Sequence, residues 1–246
     1  MRWFALWSEA MANSWLKNDA ANEAYLRKSI VKSEQQKMLE RLLLDRRLSP
    51  KRIADIACGA GTLTYHVRKL YPDAGYVLVD VAESAIKLAK EYNGDSVRCE
   101  IGDIFALNLE SDSFDLVFCW QTLSWLDDAE VPLRELVRIT RSGGHIFASS
   151  LFNLAHDVDV YAKVFDRTLE SGRRGDPYNY NTYSAYTIGK WLNGRVSSFA
   201  LHEFIPEVDF VYDGRGVGTY TVPALGKRLQ ISAGTLMNWG ILEIIK

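Results

Sequence analysis

Apolar residues at the start of the chain recur at helical spacing: Trp3, Trp7 and Met11, then Ile30, Met38 and Leu42, with no Gly or Pro anywhere in residues 1–48. The pattern predicts a helical N-terminal segment that stops at Ser49 and Pro50. The period then shortens. Residues 53–57 read as a short buried strand running into a Gly-rich turn, 62–71 as a helix and 75–80 as a strand. Residues 82–92 read as a helix closed by Asn93 and Gly94, a left-handed stop. Strands are expected over 97–101 and 115–119. A helix follows, capped by Asp127 or Asp128, with Pro132 in its first turn and an apolar face of Leu133, Leu136, Val137 and Ile139. Gly143 and Gly144 are expected to end it before a fifth strand over 145–150. Strands alternating with helices of this length predict a doubly wound, mostly parallel sheet covered on both faces.

Beyond residue 150 the alternation loosens. A helix is expected over 157–170, a Gly-, Tyr- and Asn-rich stretch over 172–186 and a short helix over 187–192. Three β-type runs close the chain: 199–211, 218–231 as a hairpin, and 239–246. A length of 246 residues with no repeats suits one domain with a single core, divided into a helical cap (1–48), a central α/β unit (50–150) and a decorated tail (151–246).

Composition removes several function classes. With 29 basic and 31 acidic residues interspersed, the chain lacks the positive footprint that nucleic acids select. Glu9, Lys17 and Asp19 interrupt the only early apolar stretch, so neither a signal peptide nor a membrane span is expected, and the cytoplasm is the expected compartment. Cys58, Cys99 and Cys119 lack CxxC spacing and read as reduced thiols rather than disulfide partners or metal ligands; no metal site is expected.

The chemistry concentrates at three predicted strand ends. Asp55, Ile56, Ala57, Cys58, Gly59, Ala60, Gly61 and Thr62 join the first strand to a helix through a turn whose glycines admit close approach of a ligand. Asp80 ends the second strand nineteen residues past Gly61, where a carboxylate can accept both ribose hydroxyls of an adenosine group. Gly102, Asp103 and Ile104 follow the third strand and would place an acid and an apolar side chain beside an adenine. Three strand ends would thus converge on one nucleoside.

In order and spacing these residues resemble the class I S-adenosylmethionine-dependent methyltransferases of the small-molecule type. The likeness covers residues 50–150 and extends through Phe114–Cys119, the 135–139 helix and Ser142–Ile146. It implies a Rossmann-like, seven-stranded sheet with a C-terminal antiparallel addition, S-adenosylmethionine as cofactor, and methyl transfer to an oxygen or nitrogen of a small molecule. By the same likeness Asp55 and the 58–61 backbone, with Cys58, Gly59 and Gly61, hold the methionine end, Asp80 the ribose, and Asp103 with Ile104 the adenine. Ala57, Val81, Cys119, Trp120 and Gln121 complete the cofactor set. Two departures stand out. Ala57 replaces the usual first glycine, acceptable if its φ stays negative, and Ser124 with Trp125 replaces the paired histidines that many relatives carry.

On the acceptor side the expected residues are Trp125, Asn153, Tyr178 and Tyr180, the tyrosines forming a mobile cover within 172–186. His156, just past the fifth strand, is the candidate general base, whereas His145 would sit at the opposite sheet edge and His66 and His202 read as surface or satisfied histidines. Two other readings compete. Tyr186 and Lys190 have the Tyr-x-x-x-Lys spacing of a nicotinamide-dependent short-chain dehydrogenase, but the turn lacks that group's third glycine and the pair falls after the fifth strand. A non-catalytic subunit that binds S-adenosylmethionine to stabilise a complex is the other.

Overall fold

The computed structural model describes residues 26–27, 30–165, 178–212 and 219–246. The expected helical repeat at Trp3, Trp7 and Met11 lies outside them. Helix α1 (Glu34–Arg46) begins at a reciprocal cap: the Ser33 hydroxyl accepts from the Gln36 amide, and the Gln36 side chain accepts from the Ser33 amide. The alternation then runs as expected through β1 (Arg52–Ile56), α2 (Thr62–Val67), β2 (Gly75–Asp80), α3 (Glu83–Asn93), β3 (Arg98–Ile101), β4 (Phe114–Cys119), α4 (Glu130–Ile139) and β5 (Thr140–Asn153). The tail carries β6 (Lys163–Val164), β7 (Tyr178–Asn179), β8 (Tyr183–Ser184), α5 (Ala185–Leu192), β9 (Ser198–Glu203), β10 (Tyr220–Ala224), β11 (Lys227–Ser232), β12 (Thr235–Leu236) and β13 (Trp239–Ile245).

The main sheet has the order β3-β2-β1-β4-β5-β13-β9, with short β8 pairing the end of β5. Strands β1 to β5 are parallel; β13 is antiparallel to both β5 and β9. This is the Rossmann-like, doubly wound sheet with an antiparallel addition. Leu39 and Leu43 of α1, Leu63 and Val67 of α2 and Ala89 of α3 fill one face, and Leu133, Leu136 and Val137 of α4 with Ile188 and Leu192 of α5 fill the other. Register fixes the edge that matters. Ile56 lies opposite Val79 and Cys119, Asp80 opposite Ile101, and Cys119 opposite Ala148, so all these carboxyl ends share one rim. The strand order reverses between β1 and β4, where ligands bind in open α/β sheets.

Several boundaries move for identifiable reasons. Helix α4 ends at Ile139, four residues before Gly143, because Thr140 already turns to extended backbone (ψ 134°) and begins β5, its amide and hydroxyl both donating to the Leu136 carbonyl. Gly143, at φ +72, and Gly144 instead form the irregularity between the Phe114–Thr140 and Leu116–His145 pairs. The residue before α4 is Ala129, which offers no side-chain bond; of the two expected aspartates Asp128 holds the helix start, its carboxylate accepting from the first helical amide, Glu130, at 2.8 Å. Gly94 has the expected positive φ, but its ψ of −178° makes it an extended turn residue, not a left-handed one.

The helix expected over 157–170 does not form in its described part. Asp159 instead turns toward α5, where it accepts from the Ser184 amide at 2.7 Å and the Thr187 hydroxyl at 2.5 Å. Residues 166–170 lie outside the described ones. The hairpin forms as β10 and β11 around Leu225 and Gly226, both at positive φ. The first β run stops at Glu203, short of Pro206.

One buried carboxylate ties the cap to the last strand. Glu243 of β13 accepts two hydrogen bonds from the Arg46 guanidinium, at 2.6 and 2.7 Å, and one from His202 Nε2 at 2.9 Å. His145 Nδ1 stands 3.6 Å away. Burial works to raise the Glu243 pKa, but the nearby His145 ring, the hydrogen bonds from Arg46 and His202 and the Arg46 charge outweigh it and hold it well below the carboxylate range.

Candidate active site

The turn after β1 is built by backbone bonds around one carboxylate. Asp80 Oδ2 accepts from the Gly59 amide at 2.8 Å and Oδ1 from the Ala82 amide at 2.9 Å, while the Cys58 amide donates to the Val79 carbonyl at 3.0 Å. Asp80 therefore fixes the Gly-rich turn and the entry to α3 together. Burial raises its pKa, and the hydrogen bonds from Ala82, Gly59 and Val81 work against that rise. Val81 beside it is exposed.

Close approach is enforced at Gly61. A Cβ there would lie 2.7 Å from Asn93 Nδ2 and 2.8 Å from Leu78 Cδ2, so no side chain fits between turn and sheet. Asn93 donates to the Gly61 carbonyl at 3.1 Å and the Ala89 carbonyl at 3.0 Å, clamping the turn to α3. Ala57 corrects an expectation: its φ is +55°, not negative. A Cβ in that region costs about 1–2 kcal/mol, so the turn holds strain that a glycine would release.

Asp55 is fully buried within β1. Its Oδ2 accepts from the Thr64 hydroxyl at 2.8 Å, and its Oδ1 has no hydrogen-bond partner. Burial pushes its pKa up to about 7, against the hydrogen bonds from Thr64. A buried oxygen without a donor, beside a turn that has no room for a Cβ at Gly61, fits a cationic ligand group or a ligand-ordered water. The Cys58 thiol is driven well above its ordinary pKa by burial and by the nearby Asp55 and Asp80, and burial lifts Cys119 to about 12. Neither is a nucleophile.

Past β3, the Gly102 amide donates to the Asp80 carbonyl and a Cβ on Gly102 would strike Val79 Cγ1 at 2.7 Å, so this turn lies flat against β2. Asp103 Oδ1 accepts from the Phe105 amide at 2.9 Å, leaving Oδ2 as an acceptor, and Ile104 packs into the core on the α4 side.

Past β4 the chain turns through Trp120 and Gln121. Gln121 has φ +52° and is held by a hydrogen bond from its Nε2 to Gln35 Oε1 of α1 at 2.9 Å. Ser149 of β5 donates to the same oxygen at 2.9 Å. Next comes a 3-10 turn (Leu123–Trp125), where the Ser124 hydroxyl contacts Ser150 and accepts from the Leu151 amide. The Trp125 ring meets Tyr180 at 4.8 Å and Trp239 at 6.2 Å between centroids.

The mobile cover is corrected in its described part. Tyr180 is 2% exposed and its hydroxyl meets Ser232 at 3.1 Å; Tyr183 is buried as well. Asn179 donates to the Trp125 carbonyl and Asp127, and Asn181 to the Leu126 carbonyl, so 179–183 is a fixed wall behind the 3-10 turn. The Tyr178 side chain and residues 172–177 lie outside the described ones. The Asn153 amide closes a turn, accepting from the Ala155 and His156 amides and donating to the Val158 carbonyl, which leaves His156 exposed beyond the end of β5.

Gln35, Ser149, Thr64 and Asn93 were missed from sequence. Gln35 left one trace, a polar residue on the helix face that carries Leu39 and Leu43. Of the other histidines, His66 Nε2 meets the Ile30 carbonyl at 3.0 Å and His202 joins Glu243, both distant roles in the scaffold. Tyr186 is 66% exposed and Lys190 is exposed too, so the dehydrogenase pair lies on the surface of α5. Among the described residues no cluster of three or more His, Cys, Asp or Glu could hold a metal, and no helix is long and apolar enough to cross a membrane.

Comparison with known proteins agrees with this geometry. Residues 54–148 match the family model described as a methyltransferase domain. The malonyl-acyl-carrier-protein O-methyltransferase of Halorhodospira halophila is 31% identical over 61% of this chain and 52% of its own length. The enzyme of the same name from Bacillus cytotoxicus is 32% identical over 65% of this chain and 57% of its own. The chain thus spans about half the length of these curated relatives. Among solved structures, the YcgJ protein of Bacillus subtilis superposes with a TM-score of 0.54 at 15% identity, over 80% of this chain and 93% of that one. The methyltransferase bound to the Trm112 activator of Haloferax volcanii also gives 0.54, at 13% identity over 79% and 82% of the two chains. These likenesses carry the fold.

Proposed function

We propose that this chain is a class I S-adenosylmethionine-dependent methyltransferase that transfers a methyl group to an oxygen or nitrogen of a small-molecule acceptor held over the ends of β4 and β5. The observation that carries the reading is Asp80: one carboxylate, oriented by the amides of Gly59 and Ala82, sits at the rim with lone pairs left to accept from a ribose. When bound, S-adenosylmethionine supplies an activated methyl group whose leaving group is a neutral thioether. The protein has mainly to align and to exclude water, and orientation alone is worth about 7–11 kcal/mol in such reactions.

In this reading the backbone of Ala57, Cys58, Gly59 and Gly61 carries the methionine end, with Asp55 buried beneath it. Asp103 Oδ2 and Ile104 flank the adenine, and Val81, Cys119, Trp120 and Gln121 complete the cofactor surface. Trp125 faces the acceptor space, backed by the buried Tyr180 ring, Tyr178 lies nearby on β7, and Asn153 shapes its rim. His156 takes the proton when the acceptor is an alcohol or ammonium. A carboxylate has none to give, and the names of the two O-methyltransferase relatives favour an oxygen nucleophile of that kind. Three unpaired thiols suit a reducing compartment such as the cytoplasm.

The test is methyl-labelled S-adenosylmethionine incubated with a malonyl thioester, simple carboxylates, alcohols and primary amines, reading labelled product and S-adenosylhomocysteine. Turnover with one acceptor class is expected, with the carboxylates first. A folded protein that does not bind S-adenosylmethionine in calorimetry would overturn the reading. Binding without turnover on any class would favour the non-catalytic subunit.

A further inference from the structure

Strands β4 and β5 keep register up to the pair Cys119–Ala148 and then part. Ser149 is one residue beyond that pair on β5 and Gln121 two residues beyond it on β4. A side chain from neither strand bridges the gap: Gln35 of α1 enters it, and its single Oε1 receives Gln121 Nε2 and the Ser149 hydroxyl, each at 2.9 Å. Gln35 is 5% exposed and lies in the first turn of α1, directly between the two residues of the Ser33–Gln36 cap. Its own placement is therefore fixed before it touches the sheet.

The bridged residue needs holding. Gln121 has φ +52°, a left-handed backbone conformation that residues with a Cβ adopt only under constraint. A strained residue at the rim where ligands bind persists only if its surroundings over-determine it. One charge-free amide-to-amide bond from a buried, capped glutamine does so here. The bond also spans 86 residues of sequence, so the N-terminal helix takes part in shaping the turn after β4.

We propose that Gln35 is a positioning residue of the methyl-transfer site: by holding the Gln121 amide it sets the turn after β4 in the conformation that faces the cofactor. The proposal rests on the reading of 119–121 as cofactor surface. Gln35 touches no ligand in this scheme; it acts through Gln121. The docking of α1 is then a condition for a complete site, since the same helix that covers the sheet delivers the oxygen that fixes its rim.

The experiment is a double-mutant cycle on S-adenosylmethionine affinity, measured by calorimetry on the full chain. Gln35→Met keeps the volume and removes the acceptor; Gln121→Ala removes the residue it holds. Each is expected to weaken binding three- to tenfold, and the double variant no more than Gln121→Ala alone. Gln35→Glu keeps an acceptor oxygen in the same place and is expected to recover at least half of the loss. Additive losses in the double variant, or a Gln35→Glu protein as weak as Gln35→Met, would overturn the positioning role. Should Gln35→Met fold poorly, Gln35→Ala replaces it in the same cycle. Asp80→Ala separates the two levels: if it loses affinity while Gln35→Met does not, the positioning role fails alone. If neither loses affinity, the cofactor reading fails and the positioning role with it.

Discussion

Over β1 and β2 the rim of the sheet is shaped by the backbone around Asp80, whereas over β4 and β5 it is shaped by side chains arriving from elsewhere. On the first side the bonds are local: Gly59 and Ala82 reach Asp80 across 21 and 2 residues. On the second, Gln35 meets Ser149 across 114 residues, Asn179 meets Asp127 across 52 and Asn181 meets Leu126 across 55. The first half is thus a self-contained turn and the second an assembly. A rim of the first kind suits a cofactor whose shape does not vary, and one of the second kind can be rebuilt around a different acceptor by changing a few contacts.

The sharpest break is expected at Asp80. Asp80→Ala should weaken S-adenosylmethionine binding by more than tenfold in calorimetry, since hydrogen bonds to a charged acceptor are each worth about 1.5–3 kcal/mol. It also orphans the Gly59 and Ala82 amides, so the melting temperature should fall as well; an unchanged affinity in a folded variant would sink the cofactor assignment.

Next comes the assembled half. Asn179→Ala combined with Asn181→Ala removes the ties between the 179–183 wall and the turn at 125–127, each worth about 1 kcal/mol. Amide exchange over 122–127 is expected to quicken at least tenfold while S-adenosylmethionine affinity stays within threefold. Equal quickening in the turn at 57–61 would mean that the two halves are not independent.

Asp55 offers a test by pH. Its folded pKa, near 7, lies above the unfolded value, so the stability it lends is complete below about pH 4 and is lost as pH rises toward and through 7. Asp55→Asn should therefore match the wild type in melting temperature at pH 5 more closely than at pH 8, where the variant is expected to melt several degrees higher in the absence of ligand. A constant difference across that range would show that the carboxyl does not titrate there.

The smallest effect belongs to Ala57. Ala57→Gly releases the strain of a positive φ but adds unfolded-state freedom, so it should stabilise by no more than about 1 kcal/mol, read from denaturant midpoints. A loss of stability would mean that the Cβ makes a contact outweighing its strain.

The same division explains what could be read from the chain. Strand and helix alternation, the Gly59–Gly61 turn, Asp80 and Asp103 announce themselves through neighbours a few residues away, and the fold followed from them. The rest depends on distant pairs. No local pattern tells that Tyr180 and Tyr183 point inward; their Gly- and Asn-rich surroundings suggest a mobile cover, whereas distant partners make them core, the Trp125 ring and Ser232 hydroxyl for Tyr180 and the Trp191 ring and Leu123 carbonyl for Tyr183. Asp157 and the residues after it look like a helix start until Asp159 is seen capping α5. Gln35 reads as one more polar helix residue, because its two partners lie 86 and 114 positions away.

The Arg46–Glu243 pair has a consequence for synthesis. Its members are 197 residues apart, so when α1 emerges from a ribosome the carboxylate that will anchor it has not been made. At about 5–20 residues per second the helix waits roughly 10–40 s for that partner. During the wait its Leu39 and Leu43 have the sheet strands β1 and β4 to settle on only as those appear, while β13 must still slip in between β5 and β9. The last strand is therefore a closing wedge. A nascent chain halted before residue 243 carries a helix with an unanswered guanidinium and an open seam beside β5, which a chaperone could bind and a protease could cut.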